Sequence, residues 1–378
     1  MSEARINRIS NEKGDGGPSL SGITTFSGLN YFVPPKGTTA ERPSDCPPGS
    51  IRFNTDSAHL EYWDGLQWLE FEATNDELGG GTGSNTGLGN RGLFGGGAVP
   101  GNPNSDVIDY ITISTLGDAQ DFGNLTQARR WNAACSSRTR GVFGGGEDGP
   151  SDRIDYVTFA STGDATDAAN LSVARGQPAS LSNEIRGIWA GGSPGGDVVD
   201  YITIASIGNA VDFGNLTQSR GYCNGLASSV RGVVAGGLVA PTTLNTIDYI
   251  TIASTGDAID FGDLTTSFAA GASFSNATRG VFSGGYGGAS PYPRHNTIQF
   301  ITIASTGNSQ DFGDATVSLS GKAGCASPTR GISAGGASPF NDTIDYVEIN
   351  TTGNAIDFGN LSIARGYIGG CSNAHGGL

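Results

Sequence analysis

Lysine is nearly absent from this chain. Only Lys13, Lys36 and Lys322 occur among 378 residues, and the formal net charge is −15. Proteins bind the phosphates of nucleic acids with basic surfaces. The sequence therefore argues against a nucleic-acid partner.

Histidine clusters and long apolar runs are also missing. His59, His295 and His375 lie far apart, and no group of His and Cys has metal-ligand spacing. No stretch approaches the ~20 apolar residues of a membrane-spanning helix. The first residues, MSEARINRISNEKGDGG, lack the apolar segment of a signal peptide. We expect no metal, no cofactor and no membrane insertion.

The five cysteines do not form a disulfide or metal pattern. Three of them occupy one repeat position, which leucine or phenylalanine fills in the other copies: Cys135, Leu181, Leu226, Phe274, Cys325 and Cys371. A position shared by these residue types is typical of a core, where free cysteine behaves as a small hydrophobe. We predict buried thiols there, whereas Cys46 and Cys223 lie outside this register.

Glycine, in contrast, is abundant, with 62 residues concentrated in a repeat. The stretch IDYITIASTGDAIDFGDL at 247–264 recurs six times and follows an Arg-Gly-apolar block such as RGVFGGG at 140–146. The copies begin at Ile108, Ile154, Val199, Ile247, Ile298 and Ile344. A period near fifty with several short strands per copy indicates a β-propeller, in which each repeat is one blade.

Length varies in only one part of the repeat. The distance from the first residue of each copy to the Arg or Gly that opens the next block is always 32 residues. The variable loops are 98–107, 147–153, 193–198, 238–246, 286–297 and 337–343. A rigid scaffold that presents loops at one end is expected to show this pattern.

The two ends of the repeat region predict how it closes. The repeats begin at Arg91 with a second strand, and the chain stops after ARGYIGGCSN at 364–373. Similar runs rich in Gly, Ala and Ser precede each Arg-Gly block and suit an innermost strand. We therefore predict an all-β fold with a six-bladed propeller over 91–378, closed by its C-terminal strand.

The repeats resemble kelch-type propellers, in which a double glycine ends the second strand and a tyrosine lies in the third. Here the glycine pairs begin at Gly96, Gly145, Gly191, Gly236, Gly284 and Gly335. The aromatic residues are Tyr110, Tyr156, Tyr201, Tyr249, Phe300 and Tyr346. The kelch tryptophan of the fourth strand is absent; Phe122, Phe213, Phe261, Phe312 and Phe358 stand near its place, with Ala168 in the second copy. The resemblance implies the architecture only.

The residues before the repeats divide into three parts. We expect a polar arm at 1–18, a small β-rich module at 19–74 and a Gly-rich linker at 75–90. Strand-like runs occur at 51–54, 60–63 and 68–71, with a hairpin turn at Asp64-Gly65, and 35–49 reads as a loop. Such a module buries too little apolar surface to fold alone, so we expect self-association or docking to complete it.

Residues 8–71 resemble the N-terminal module of structural proteins in tailed phages of marine cyanobacteria. The segments that carry this resemblance are SGITTFSGLNYFVPPKGTTAERP and GSIRFNTDSAHLEYWDGLQW. In such relatives the module precedes fibre-like or surface-exposed parts of the virion. The resemblance implies a virion protein that assembles in the host cytoplasm, is oligomeric and contacts other virion proteins through this module.

The repeated polar residues are predicted to serve the fold. The arginines of the Arg-Gly blocks and the Asp of each IDY motif recur with the repeat, whereas a catalytic site breaks symmetry. GDAIDFGD at 256–263 spaces three aspartates three residues apart, which leaves calcium binding open, although Asp is also an ordinary turn residue.

The variable loops do break the symmetry. The longest, YGGASPYPRHNT at 286–297, contains Tyr286, Tyr292, Arg294 and His295, and Tyr and Arg are favoured at recognition surfaces. Phe340 in the sixth loop and Asn102 and Asn104 in the first are further candidates. For each of these candidates, the alternative is a solvent-exposed loop that binds no ligand.

We expect a non-enzymatic virion protein whose propeller binds a host-surface receptor, such as a glycan, through this loop end. The alternatives are a purely structural or decorating protein without a ligand and a carbohydrate-active propeller enzyme. An enzyme needs convergent acids, a Tyr/Arg cluster or metal ligands in one place, and the sequence shows none.

Overall fold

A computed structural model describes residues 34–57, 59–70, 90–147, 149–194 and 196–378. The chain divides into two compact units, Met1–Asn75 and Asp76–Leu378. The arm predicted at 1–18, the start of the predicted module and all but the end of the predicted linker lie outside the described residues. The single helical element among the described residues is a 3₁₀ helix at Thr39–Glu41.

The smaller unit contains one four-stranded sheet. Its strands, in spatial order, are β1 (Lys36–Gly37), β2 (Ile51–Asn54), β3 (His59–Trp63) and β4 (Trp68–Glu70). The three predicted strands and their turn are confirmed: β2, β3 and β4 are antiparallel, and Asp64 Oδ1 accepts hydrogen bonds from the turn amides of Leu66 and Gln67.

The prediction of a loop before β2 was wrong in part. β1 pairs parallel with β2, and the 3₁₀ helix follows it. The amide of Phe53 donates to Pro35 O and that of Thr55 to Gly37 O. The outer edge of β2 would otherwise present unpaired backbone groups, and this short segment satisfies them.

In the described part of the smaller unit, the buried side chains are polar. Arg52, Asn54 and Glu61 are its buried residues among those described, whereas Ile51 and Leu60 are exposed. Arg42 Nη2 lies 2.7 Å from Glu61 Oε2, and Arg52 Nε lies 3.4 Å from Glu61 Oε1. A buried ion-pair cluster of this kind stabilises a fold weakly. The expectation that association completes this module stays a prediction.

In the described part of the larger unit, six four-stranded antiparallel sheets follow the sequence repeat. The second, third and fourth strands of the first sheet are β5 (Arg91–Gly95), β6 (Val107–Thr112) and β7 (Gln120–Asn124). The second sheet is β8–β11 (Ala133–Ser136, Arg140–Gly144, Arg153–Thr158, Thr166–Asn170), and the third is β12–β15 (Ala179–Ser182, Arg186–Ala190, Val198–Thr203, Val211–Asn215). The fourth sheet is β16, β17, β20 and β21 (Asn224–Ala227, Arg231–Ala235, Thr246–Thr251, Ile259–Asp263). The fifth sheet is β22–β25 (Ala272–Ser275, Arg279–Ser283, Thr297–Thr302, Gln310–Asp314). The sixth sheet is β26–β29 (Ala323–Ala326, Arg330–Ala334, Thr343–Glu348, Ile356–Asn360), and the last strand is β30 (Gly369–Ser372).

The predicted pairing of the two ends of this region is confirmed. β30 pairs antiparallel with β5, so the first sheet has the order β30-β5-β6-β7. The first strands neighbour one another in the order β8, β12, β16, β22, β26, β30 and back to β8. The C-terminal strand thus supplies the first strand of the first sheet.

Apolar side chains fill the spaces between neighbouring sheets. Six buried clusters occur, and one of them joins Phe94 and Ile111 of the first sheet to Ile332 of the sixth. Cys135, Cys325 and Cys371 are buried as free thiols within these clusters, as predicted, and Cys223 is buried as well. Sheets that are covered on both sides explain why both faces of the IDYIT strand are apolar.

The glycine pairs end the second strands because of their backbone conformation. Both members have positive φ in all six copies, for example 68° at Gly191 and 105° at Gly192. A Cβ at Gly191 would also lie 2.6 Å from Arg220 O. Glycine avoids the strain and the clash, and the variable loop begins there. One loop, 238–246, contains a short hairpin of β18 (Leu238–Val239) and β19 (Thr242–Thr243), which the sequence did not predict.

Candidate functional site

A frame of buried charges connects each sheet to the next. The IDY aspartates are buried, and each pairs with a cation from the preceding copy of the repeat. The pairs are Arg129–Asp155, Arg175–Asp200, Arg220–Asp248, Lys322–Asp345 and Arg365–Asp109, at 2.8–3.4 Å. The structural role predicted for these aspartates is confirmed.

The fifth copy shows how the frame tolerates change. Gln299 replaces the aspartate, and Phe268 occupies the corresponding arginine position. Gln299 Oε1 accepts hydrogen bonds from Thr265 Oγ1, Thr266 N and Ser309 Oγ. Both charges are absent together, so no buried charge is left unpaired.

The arginines of the Arg-Gly blocks are also structural. Each guanidinium lies 4.4–4.9 Å from the centroid of the aromatic ring in its own sheet. It also donates to a carbonyl at the end of the third strand of the following sheet, as in Arg186 to Ile252 O and Arg330 to Ile113 O. The last bond again joins the sixth sheet to the first.

The Asp and Asn side chains of the GD/GN turns bond to a neighbouring strand. Asp257 Oδ1 accepts a hydrogen bond from Asn215 N at 2.9 Å, and Asp118 Oδ1 from Asn360 N at 2.9 Å. Among the described residues, no three His, Cys, Asp or Glu side chains lie together in a way that could hold a metal ion.

The variable loops and the starts of the first strands lie at the same end of the sheets. Ala133, the first residue of β8, pairs with Gly144, the last residue of β9, and the loop follows directly. We call this the loop end, and the end that carries the β8–β9 turn and its equivalents the hairpin end.

One repeat position at the loop end combines an unusual backbone with unlike side chains. It is the residue two positions before each first strand, here called the entry residue, and its φ is 54–68° in all six copies. The entry residues are Trp131, Gln177, Tyr222, Ala270, Gly321 and Tyr367. A non-glycine residue in this region costs roughly 1–3 kcal/mol, and Gly321 shows that the turn forms with glycine. The turn itself therefore does not explain why Trp131, Tyr222 and Tyr367 occupy this position.

The backbones of the entry residues form a hydrogen-bonded cycle. Each amide donates to the carbonyl of the entry residue in the preceding copy, at 2.7–3.0 Å. The cycle passes in order through Trp131, Gln177, Tyr222, Ala270, Gly321 and Tyr367. It closes because Trp131 N donates a hydrogen bond to Tyr367 O at 2.8 Å. The left-handed conformation aims these groups at one another, and the side chains gather at the loop end.

Six aromatic rings lie in a continuous series at this end. The successive centroid distances are 5.4 Å for Tyr292–Tyr286, 6.1 Å for Tyr286–Tyr222, 4.8 Å for Tyr222–Trp131, 4.2 Å for Trp131–Tyr367 and 6.0 Å for Tyr367–Phe340. All six side chains are half-buried. We call them the aromatic array.

The structure brings together only some of the residues predicted as binding candidates. Tyr286, Tyr292 and Phe340 belong to the aromatic array. Arg294 is exposed and its backbone bridges that of Tyr286, and His295 is half-buried beside it. These candidates stay predictions, since geometry alone assigns no ligand.

The two asparagine candidates lie in the first variable loop. Asn102 accepts a hydrogen bond from Arg130 Nη1 at 2.7 Å, next to Trp131. Asn104 forms a backbone bridge with Ala98 and is not part of the array.

Sequence reasoning missed Trp131, Tyr222 and Tyr367. The signal was present, because large aromatic residues alternate with Gln, Ala and Gly at a single repeat position. Loop length does not mark this position, since it lies in the part of the repeat that has constant length.

A cavity of about 140 Å³ lies between the first strands of the six sheets. Trp131, Tyr222 and Tyr367 line it at the loop end, and His375 lines it at the hairpin end. Small axial residues such as Ser180, Gly225 and Gly324 leave this space open. The array and the cavity therefore share three aromatic side chains.

The environment of the array makes Tyr222 and Tyr286 weaker acids than a free tyrosine. Burial raises the pKa of Tyr222, to which the negative charge of Glu147 adds, and burial raises the pKa of Tyr286. Both phenols stay protonated at neutral pH and act as hydrogen-bonding groups, not as bases.

At the hairpin end, the C-terminal residues hold a histidine neutral. His375 Nε2 lies 3.2 Å from Ser136 O, and Nδ1 accepts a hydrogen bond from Gly377 N at 3.0 Å. Burial lowers the pKa of His375 to about 4. This arrangement suits the neutral tautomer with its proton on Nε2.

No helix among the described residues has the length and apolar character to cross a membrane. No protein-family model matches the chain, and no curated protein matches it.

Proposed function

We propose that this chain is a non-enzymatic virion protein of a tailed phage. A closed six-bladed, kelch-like propeller would present the aromatic array to a glycan on the host surface. The main observation that supports this proposal is the aromatic array.

Four connections between the first and sixth copies support the closed propeller. They are the β30–β5 pairing, the Arg365–Asp109 ion pair, the Arg330 bond to Ile113 O and the cycle of entry residues. Each repeats a contact made between the other neighbouring copies. Equal contacts at every junction are expected of a ring in which no sheet edge is left free.

The entry residues support ligand binding at the loop end. Tryptophan and tyrosine at Trp131, Tyr222 and Tyr367 occupy a conformation that glycine adopts at less cost. Backbone strain of this kind concentrates at functional sites. The three rings adjoin Tyr286 and Tyr292 of the longest variable loop, and Tyr and Trp offer a large contact area with a polar edge.

A carbohydrate matches the chemistry of this surface. The C–H faces of a sugar pack on aromatic rings, and its hydroxyl groups bond to polar neighbours such as Asn102, Arg130, Gln177 and Arg294. A host cell exposes such ligands in many copies, and an oligomeric virion protein would gain avidity from this.

The virion assignment rests on the resemblance of residues 8–71 to N-terminal modules of phage structural proteins. The smaller unit would attach to other virion proteins, and its exposed Ile51 and Leu60 fit a unit completed by a partner or by further copies of the chain.

The proposal is tested by measuring how the full-length protein binds to an array of cyanobacterial surface glycans. Its adsorption to host cells is measured next. We expect binding that falls at least tenfold in Trp131→Ala and Tyr222→Ala. Val230→Ser is the control, because Val230 is 66% exposed at the hairpin end. Its binding should equal that of the unchanged protein.

Two results would contradict the proposal. Full host adsorption by phage carrying Trp131→Ala and Tyr222→Ala together would favour a decorating protein without a ligand. Cleavage or oxidation of the host polysaccharide by the purified protein would favour an enzyme.

A further inference from the structure

A carboxylate lies at the loop end beside the aromatic array. Glu147 opens the second variable loop, directly after a glycine pair. In each copy the residue at this position forms a backbone bridge with the residue before the entry residue, and Glu147 N donates to Arg130 O at 2.7 Å. The bridge fixes where Glu147 lies but does not require a charge. The other copies carry Ala98, Ser193, Leu238, Tyr286 and Ala337 at this position.

The Glu147 side chain is held against the middle of the array. Its Oε2 accepts a hydrogen bond from Gln177 Nε2 at 3.1 Å. Gln177 is the entry residue between Trp131 and Tyr222 in the hydrogen-bonded cycle. A Cβ at Gly176 would lie 3.0 Å from Glu147 Cβ, so the glycine leaves room for the glutamate side chain. The carboxylate is thus positioned next to the entry residue that separates the two rings.

The second carboxylate oxygen can be reached from solvent. Among the residues that the structure describes, Glu147 Oε1 has no hydrogen-bond partner and Glu147 forms no ion pair. Glu147 is half-buried, and Oε1 is not one of the buried side-chain atoms that lack a partner. The guanidinium of Arg130 donates to Asn102 Oδ1 instead, at 2.7 Å. Because partial burial removes part of the hydration of a charge, a ligand that donates hydrogen bonds would replace the lost water.

The charge of Glu147 acts on the array. Burial raises the pKa of Tyr222, and the negative charge of Glu147 raises it further. The positive charge of Arg130 opposes this effect and is the smaller of the two contributions. An acidic ligand on Trp131 and Tyr222 would meet the same negative charge, and like charges at short range repel each other.

An uncharged sugar ring fits these features. A carboxylate oxygen only accepts hydrogen bonds, and a hydroxyl group that donates to a charged acceptor forms one of the stronger hydrogen bonds in proteins. The apolar C–H face of the same sugar ring can pack on an aromatic side chain, here Trp131 or Tyr222.

We propose that Glu147 is a specificity-determining residue of the glycan site. Its Oε1 accepts hydrogen bonds from the hydroxyl groups of an uncharged sugar that packs on Trp131 and Tyr222, and its charge excludes acidic sugars. The inference rests on the proposed glycan binding and adds which sugars the site accepts.

The test compares uncharged and acidic glycans with the full-length protein. The array carries glycans that end in glucose, galactose or mannose and glycans that end in glucuronic acid or N-acetylneuraminic acid. We expect the unchanged protein to bind an uncharged glycan and none of the acidic ones. Glu147→Gln should weaken that binding about tenfold or more, because a charged acceptor is replaced by a neutral one.

The matched control is Glu184→Gln, the same substitution at a carboxylate in the β12–β13 turn of the hairpin end, where the side chain is 50% exposed. Its affinity should stay within about twofold of that of the unchanged protein. Glu147→Lys reverses the charge and should bind acidic glycans that the unchanged protein rejects. A residue that only supports the loop would not change the preference in this direction.

The outcomes separate this inference from the proposed function. A preference of the unchanged protein for acidic glycans would overturn the role of Glu147 and leave glycan binding intact. Equal affinity of Glu147→Gln and Glu184→Gln for the uncharged glycan would also overturn it. If no glycan binds, both proposals fail. The preference of the unchanged protein decides the question even if a variant does not fold.

Discussion

At the scale of single residues, the buried ion pairs show which polar groups this fold requires. Arg220 and Asp248 are fully buried with Nη2 and Oδ2 2.9 Å apart, and Thr217 Oγ1 also donates to Asp248. Removing one member leaves a buried charge without its partner, which typically costs about 3–5 kcal/mol.

The fifth copy suggests how to remove both charges safely. We predict that Arg220→Met lowers the free energy of unfolding by about 3–5 kcal/mol. The triple variant Arg220→Phe, Asp248→Gln, Ala258→Ser copies Phe268, Gln299 and Ser309 and should lose less than half as much. Denaturant unfolding measures both. A triple variant as unstable as the single one would show that the neutral arrangement depends on its own sheet.

A second residue-scale prediction concerns His375 and pH. Its folded-state pKa of about 4 lies below the ordinary ~6.5, so the unfolded chain takes up the proton first. Its stabilising contribution is complete above pH 6.5 and is lost as pH falls from 6.5 to about 4, by an amount on the order of 2–3 kcal/mol.

The measurement is the stability difference between the unchanged protein and His375→Gln at several pH values, which cancels the titration of the carboxylates. This difference should shrink between pH 7 and pH 4. A constant difference would mean that His375 titrates normally in the folded protein.

At the scale of elements, the loop 286–297 holds two rings of the array and joins a main sheet only at Thr297, the first residue of β24. Its contacts are short: Tyr286 bridges Ala269 and Arg294, and Ala289 bridges Thr242. We predict that replacing it with the six-residue loop 193–198 changes the melting temperature by only a few degrees, because both loops begin at the same glycine pair.

The same replacement should weaken glycan binding, because Tyr286 and Tyr292 are lost. Exchange of loop 337–343 for 193–198 is the matched control for loop grafting, since it removes Phe340 alone from the array. If the first exchange lowers the melting temperature by more than about ten degrees, the loop is part of the scaffold.

At the scale of the whole molecule, the C-terminal residues join the first and last copies. Residues 364–378 contain β30, Arg365, Tyr367 of the hydrogen-bonded cycle and His375. We predict that deleting them makes the larger unit insoluble or lowers its melting temperature by tens of degrees. Burial of Ile368 and Cys371, at roughly 1.5–3 kcal/mol for a sizeable side chain, is lost together with an ion pair and a strand ladder.

Deletion of residues 374–378 alone is the control, because it keeps β30 and removes only the segment around His375. This shorter chain should fold. A soluble protein of unchanged melting temperature after the longer deletion would contradict the proposed closure.

The sequence determined the repeated elements of this protein. A constant 32-residue frame, the glycine pairs and the register of Cys135, Cys325 and Cys371 predicted six equivalent sheets, their turns and the pairing of β30 with β5. These features are local or periodic, so each copy repeats the same information.

Only the tertiary structure decided where the asymmetric side chains meet. Trp131, Tyr222 and Tyr367 lie 91 and 145 residues apart along the chain, and they become neighbours because the first strands are arranged around one cavity. Periodicity specifies what the copies share, and contacts between copies specify where they differ.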